Sequence, residues 1–147
     1  MQKTLLSTFG IMLVLCATVL SAAAQQAAGK AMEAVKLTGA AEVPGPGDSD
    51  GSGTITLTFN PDKGEVCYEL RVANLKEVTA AHIHAGAAGK EGPVTVGLET
   101  PKTEAVTGCK SADPAVIRTI MQDPASYYVN VHTTDFPKGA VRGQLAK

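Results

Sequence analysis

The sequence has no tryptophan and only three phenylalanines and three tyrosines. Aromatic packing therefore cannot dominate its core, and Val, Leu, Ile and Ala must fill it. Lys and Arg number 13 against 14 Asp and Glu, with no basic patch, which leaves no electrostatic footprint for nucleic acid. The one Gly-x-Ser-x-Gly match, Gly47 to Gly51, lies in a Gly/Asp/Ser-rich loop that leads into a strand pattern and not into a helix, and no carboxylate pair stands out, so neither serine hydrolysis nor glycoside hydrolysis is supported. The glycine-rich stretch Gly86 to Gly92 is not followed by a helical pattern, which removes the usual phosphate cradle. Internal repeats are absent. Beyond residue 20 no apolar run is long enough to span a membrane. Histidine is scarce too: His82, His84 and His132 are all there are.

What is present begins with a basic start, Met1-Gln2-Lys3, an apolar run from Leu5 to Leu20 and the small-residue stretch Ser21-Ala22-Ala23-Ala24. That order reads as a secretory signal peptide over residues 1–24, cleaved after Ala24. Export places the chain in the periplasm or outside the cell, with no membrane attachment once the signal is gone. The remaining 123 residues suffice for one domain. Residues 25–35 read as a flexible lead-in and 36–147 as the domain. Cys16 lies in the signal, which leaves Cys67 and Cys109. In an oxidising compartment a Cys67–Cys109 disulfide is the simplest reading, with free thiols or thiolate ligands as the alternative. It would close a loop worth roughly 4 kcal/mol.

Periodicity then places the strands. Val35 to Val43 could form a first one. In Thr54 to Phe59 apolar and polar residues alternate, which turns Ile55, Leu57 and Phe59 inward. Asn60-Pro61-Asp62-Lys63-Gly64 is turn chemistry. Val66, Tyr68, Leu70 and Val72 continue the alternation, so matching faces pair Phe59 with Val66 and Leu57 with Tyr68. Parity puts Cys67 outward, where a bond to Cys109 would pin a loop over the sheet. Val78 to His84 and Pro93 to Leu98 read as further strands. Asp113-Pro114 opens a short helix over 114–122 with Val116, Ile117, Ile120 and Met121 on one face. Tyr127 to Thr133 and Ala140 to Leu145 form a last hairpin. The class is all-β: an antiparallel β-sandwich or Greek-key barrel with one short helix.

His82 and His84 stand two apart on a strand, so both leave the same, outward face while Ala81 and Ile83 enter the core. On the last hairpin Val129 and Val131 face inward, and Asn130 and His132 outward. Arg142 and Gln144 share that outward face, with Arg142 directly across from His132 or one diagonal step away. Three neutral imidazoles suit one transition-metal ion, copper or iron first and zinc also compatible, with a position left open. Arg142 beside it would draw in a small anion. Asn130 and Gln144 could hold imidazole N–H groups or a bound water. Tyr128 could line the site, and Glu42 could add a carboxylate. Periodicity does not say whether the His-x-His strand lies beside the last hairpin.

The motifs Ala80-Ala81-His82-Ile83-His84-Ala85-Gly86, Gly92-Pro93-Val94, Tyr128-Val129-Asn130-Val131-His132-Thr133 and Pro137-Lys138-Gly139-Ala140-Val141-Arg142-Gly143-Gln144-Leu145, with Glu42-Val43-Pro44 as an opening, resemble the chordin-type (CHRD) domain over residues 36 to 146. The resemblance implies an exported all-β domain. Departures are an Ala140 where an acidic residue is common and a Gly/Asp-rich loop after Glu42-Val43-Pro44. More distantly, the His-x-His strand resembles the copper-binding strand of copper/zinc superoxide dismutases. That likeness implies His82, His84 and His132 as ligands and Arg142 as the catalytic anion guide. No histidines remain for those enzymes' zinc set. Three functions compete: a redox metalloenzyme acting on superoxide or a similar small oxidant, a metal carrier, and a non-catalytic interaction module. The residues name no protein partner.

Overall fold

The computed structural model describes residues 29–146. The signal-peptide reading of residues 1–24 lies outside them. Nine strands and one α-helix follow in order: β1 Lys30–Ala31, β2 Val35–Thr38, β3 Ser52–Asn60, β4 Glu65–Ala73, β5 Val78–Ala85, β6 Val94–Leu98, β7 Ala105–Ser111, α1 Pro114–Gln122, β8 Tyr127–Thr133 and β9 Val141–Gln144. All pairings are antiparallel, in the path β6-β5-β8-β9-β2-β3-β4-β7, with β1 added on β3. The neighbours β5–β8, β9–β2 and β4–β7 are distant in sequence, which is the Greek-key signature.

The two edge strands approach each other. The Glu99 backbone N–H, just past β6, donates to the Tyr68 hydroxyl on β4 at 2.8 Å, and Glu99 pairs with Lys110 on β7 at 2.7 Å. The sheet is therefore nearly closed into a barrel. Its interior holds Leu37, Ile55, Leu57, Phe59, Val66, Leu70, Ile83, Val129, Val131 and Val141, all almost fully buried. These are the period-2 apolar positions. The β3–β4 hairpin pairs Phe59 with Val66 and Leu57 with Tyr68, as alternation requires. The helix α1 runs over the span expected, capped by the Asp113 side chain accepting from the Ala115 N–H at 2.7 Å. Its Ile117 and Ile120 close the core.

Four expectations change. The first strand stops at Thr38, because Gly39–Ala41 form a 3-10 turn that carries Glu42 across the barrel surface. Lys30–Ala31, expected within the flexible lead-in, pair with Thr58 and Phe59. Residues 105–111, not recognised as a strand, form β7 and lie directly against β4. Cys67 and Cys109 are cross-strand partners with Cα atoms 3.9 Å apart, joined as a disulfide. The bond thus ties strand to strand and does not pin a loop. In β7 one face (Thr107, Cys109, Ser111) is exposed and the other (Val106, Gly108, Lys110) only partly buried and mostly not apolar, so the stretch shows no apolar alternation to detect.

Candidate metal centre

The decisive adjacency lies one strand in from the β6 edge of the sheet. β5 and β8 are hydrogen-bonded neighbours, with His82 opposite Asn130, His84 opposite Tyr128 and Ala80 opposite His132. β8 in turn pairs with β9, with Asn130 opposite Arg142 and Tyr128 opposite Gln144. His132 is thus one diagonal step from both His82 and Arg142. Ala81, Ile83, Val129 and Val131 point into the barrel, so the histidines and their polar neighbours share its outer side.

One ligand-capable nitrogen from each of His82, His84 and His132 falls within 4.8 Å of the others. His82 Nδ1 and His132 Nε2 are 3.2 Å apart. The ring centroids of His82 lie 5.4 Å from His84 and 5.1 Å from His132. Main-chain carbonyls orient two of the rings. His84 Nδ1 donates to the Gly92 carbonyl at 2.9 Å, and His132 Nδ1 to the Pro137 carbonyl at 3.1 Å. Each ring is thereby set in the tautomer whose Nε2 carries the lone pair. His84 Nε2 is buried and has no hydrogen-bond partner among the described residues. A buried acceptor left open costs on the order of 1–3 kcal/mol, so its exposure to the cluster needs a counterpart. A metal ion would supply one. Nitrogens that share an ion at about 2 Å stand roughly 3 Å apart, which matches the His82–His132 spacing.

Burial, together with the neighbouring His132 and His84 rings, holds His82 below the ordinary imidazole range. Burial also lowers His132, against the upward pull of the Pro137 carbonyl and with a smaller push from His84. Both rings are therefore neutral donors at neutral pH, as coordination requires.

The outer face is less open than alternation suggests. Tyr128, Asn130, Arg142 and Glu42 are all buried, and His84 is only 8 % exposed. Loops fold over this polar layer. The Arg142 guanidinium donates to the Lys90 carbonyl at 2.9 Å, the Ala87 carbonyl at 3.1 Å and Gln144 Oε1 at 3.3 Å. It also lies 3.4 Å from the centre of the Tyr128 ring, which stacks in parallel on His84 at 4.8 Å. Arg142, read from the sequence as a surface guide for anions, is instead a buried clamp on the 87–90 loop. Gln144 donates to the carbonyls of Gly86, Ala125 and Tyr127, which commits its amide nitrogen away from the imidazoles. Asn130 Oδ1 is buried without a partner among the described residues. Glu42 does not join the three histidines as a ligand: its carboxyl lies against Gly139, where a Cβ would overlap it.

Sequence reasoning missed the Gly92 and Pro137 carbonyls. A main-chain oxygen has no residue signature. The one available hint was Gly92 itself: a side chain there would run into the Ala85 carbonyl, so only glycine lets the loop return this close to β5.

The CHRD domain family model matches residues 34–145. The chain belongs to the CHRD domain family. No curated protein and no solved structure matches it. CHRD domains are typically extracellular. Among the described residues of this CHRD domain, no helix is long and apolar enough to cross a membrane.

Proposed function

We propose that this CHRD protein is exported to the periplasm or beyond the cell, holds one transition-metal ion through His82, His84 and His132, and is redox-active on superoxide or a similar small oxidant. The observation that carries the reading is the unpartnered Nε2 of buried His84, fixed by the Gly92 carbonyl and facing two further imidazoles. A copper or iron ion held there would exchange single electrons with the oxidant. The chain's part is to hold three neutral imidazoles on two rigid strands and to leave half-exposed His82 facing solvent. Tyr128 packs on His84 and keeps water from its ring face.

The test is elemental analysis of the protein purified from its native compartment, beside His132→Ala, followed by assays of superoxide loss. About one copper or iron per chain is expected in the wild type, much less in the variant, and a rate above that of the free ion. Stoichiometric metal that transfers to an acceptor without turnover would make the protein a carrier. Absence of metal in both proteins would leave an interaction module.

A further inference from the structure

A small oxidant must still reach the three nitrogens, and Arg142 is sealed beneath the 87–90 loop. The opposite flank is open. His82 is half-exposed, and its partner on edge strand β6 is Gly97. Gly97 is exposed, and a Cβ built on it would meet nothing within 4 Å. Ala80, on the same face two residues before His82 and opposite His132, adds only a methyl group. The positions flanking His82 therefore leave a furrow, a pocket of about 460 Å³ lined by Thr79, Ala80, His82, Gly97, Thr100 and Lys102.

The charge of this furrow is readable. Glu99 also lines it, but its carboxylate is taken by Lys110 at 2.7 Å. Lys102 is exposed and makes no ion pair within 4.0 Å among the described residues. Lys110 is not part of the lining, and Lys102 also acts on the Glu99 carboxylate, but the three groups together sum to one positive charge at the rim of the furrow.

We propose that this furrow is the route by which a small anion reaches the histidine centre, with Gly97 keeping it open and Lys102 drawing the anion in. The proposal rests on the metal reading above and gives Lys102 the guiding role that the sequence suggested for Arg142. Superoxide and azide belong to the same class of small monoanion, so azide serves as the probe.

The experiment loads wild type, Gly97→Phe and Lys102→Glu with copper(II) and measures bound copper. Azide is then titrated, following its charge-transfer absorption with the metal. Equal copper in all three is expected. Reversing the charge at position 102 should weaken azide binding about fivefold at low ionic strength, an effect that fades as salt is added. The bulkier Gly97→Phe should weaken it further, with little response to salt. Lys102→Glu alters only an exposed side chain and carries the test even if Gly97→Phe does not fold. Copper-loaded variants that bind azide as wild type does would overturn the furrow and leave the metal reading standing. Copper(II) tops the divalent affinity series, so a wild type that holds none would bring down both.

Discussion

Three histidines were available to place, and period-2 alternation assigned each to a face. That part of the site is legible because strand parity needs no tertiary information. Glu42 shows the opposite case. It follows a 3-10 turn, where no periodicity operates, and the fold buries its carboxyl over Gly139. Burial raises its pKa from 4.5 to about 7, although the Val43 backbone N–H and the Arg142 charge pull the other way. The folded value exceeds the unfolded one, so the native state keeps a proton that the unfolded chain has lost. Glu42's contribution is therefore fully present below pH 4.5 and is lost as pH rises through about 7. The loss levels off at no more than roughly 3 kcal/mol, on the order of 1.4 kcal/mol for each pH unit separating the two values. Glu42→Gln has no such ionisation. On metal-free protein, urea midpoints at pH 4.5 and pH 8 should show the variant gaining on wild type as pH rises; an unchanging gap refutes it.

Among elements, the β8–β9 hairpin does two jobs that alternation alone could not separate. Its inner face supplies Val129, Val131 and Val141 to the barrel, while its outer face grips the β5–β6 loop through Arg142. The same loop presents the Gly92 carbonyl that orients His84, so the clamp and the proposed metal site share one loop. Arg142→Gln should lower stability by about 2–4 kcal/mol, from lost charged hydrogen bonds, lost contact with Tyr128 and carbonyls left without donors. Arg142→Lys should recover little, because a single ammonium cannot span the Lys90 and Ala87 carbonyls while lying flat on the ring. Denaturant midpoints of the metal-free variants measure this. Full recovery by lysine would mean that charge alone matters. Metal affinity should fall in both variants as the loop loosens, by about 10- to 100-fold, the range seen when partners of ligating histidines are lost.

Across the whole molecule, closure of the barrel depends on pairings far apart in sequence. The Cys67–Cys109 disulfide locks β7 onto β4, and the loop it closes contains β5 and β6 with His82 and His84. The double variant Cys67→Ala, Cys109→Ala should lose about 2–4 kcal/mol in thermal or urea unfolding. It should still fold and bind metal at room temperature, because the histidine strands pair with β8 and not with β4. Loss of metal from a folded double variant would contradict this separation of staple and site.

The sequence by itself determined which residues face the barrel and which face away, where the helix lies, the β3–β4 register and the shared face of His82 and His84. Each follows from local alternation, capping or turn chemistry, interactions that span only a few residues. Tertiary structure alone decided that β5 lies beside β8, which brings His132 to the other two imidazoles. It also decided that β7 pairs with β4 and that loops roof the polar face, turning Arg142 from a solvated charge into a clamp. Those outcomes arise from contacts between segments some 50 residues apart, as in the His82–His132 and Arg142–Lys90 pairs, and strand parity carries no information about them.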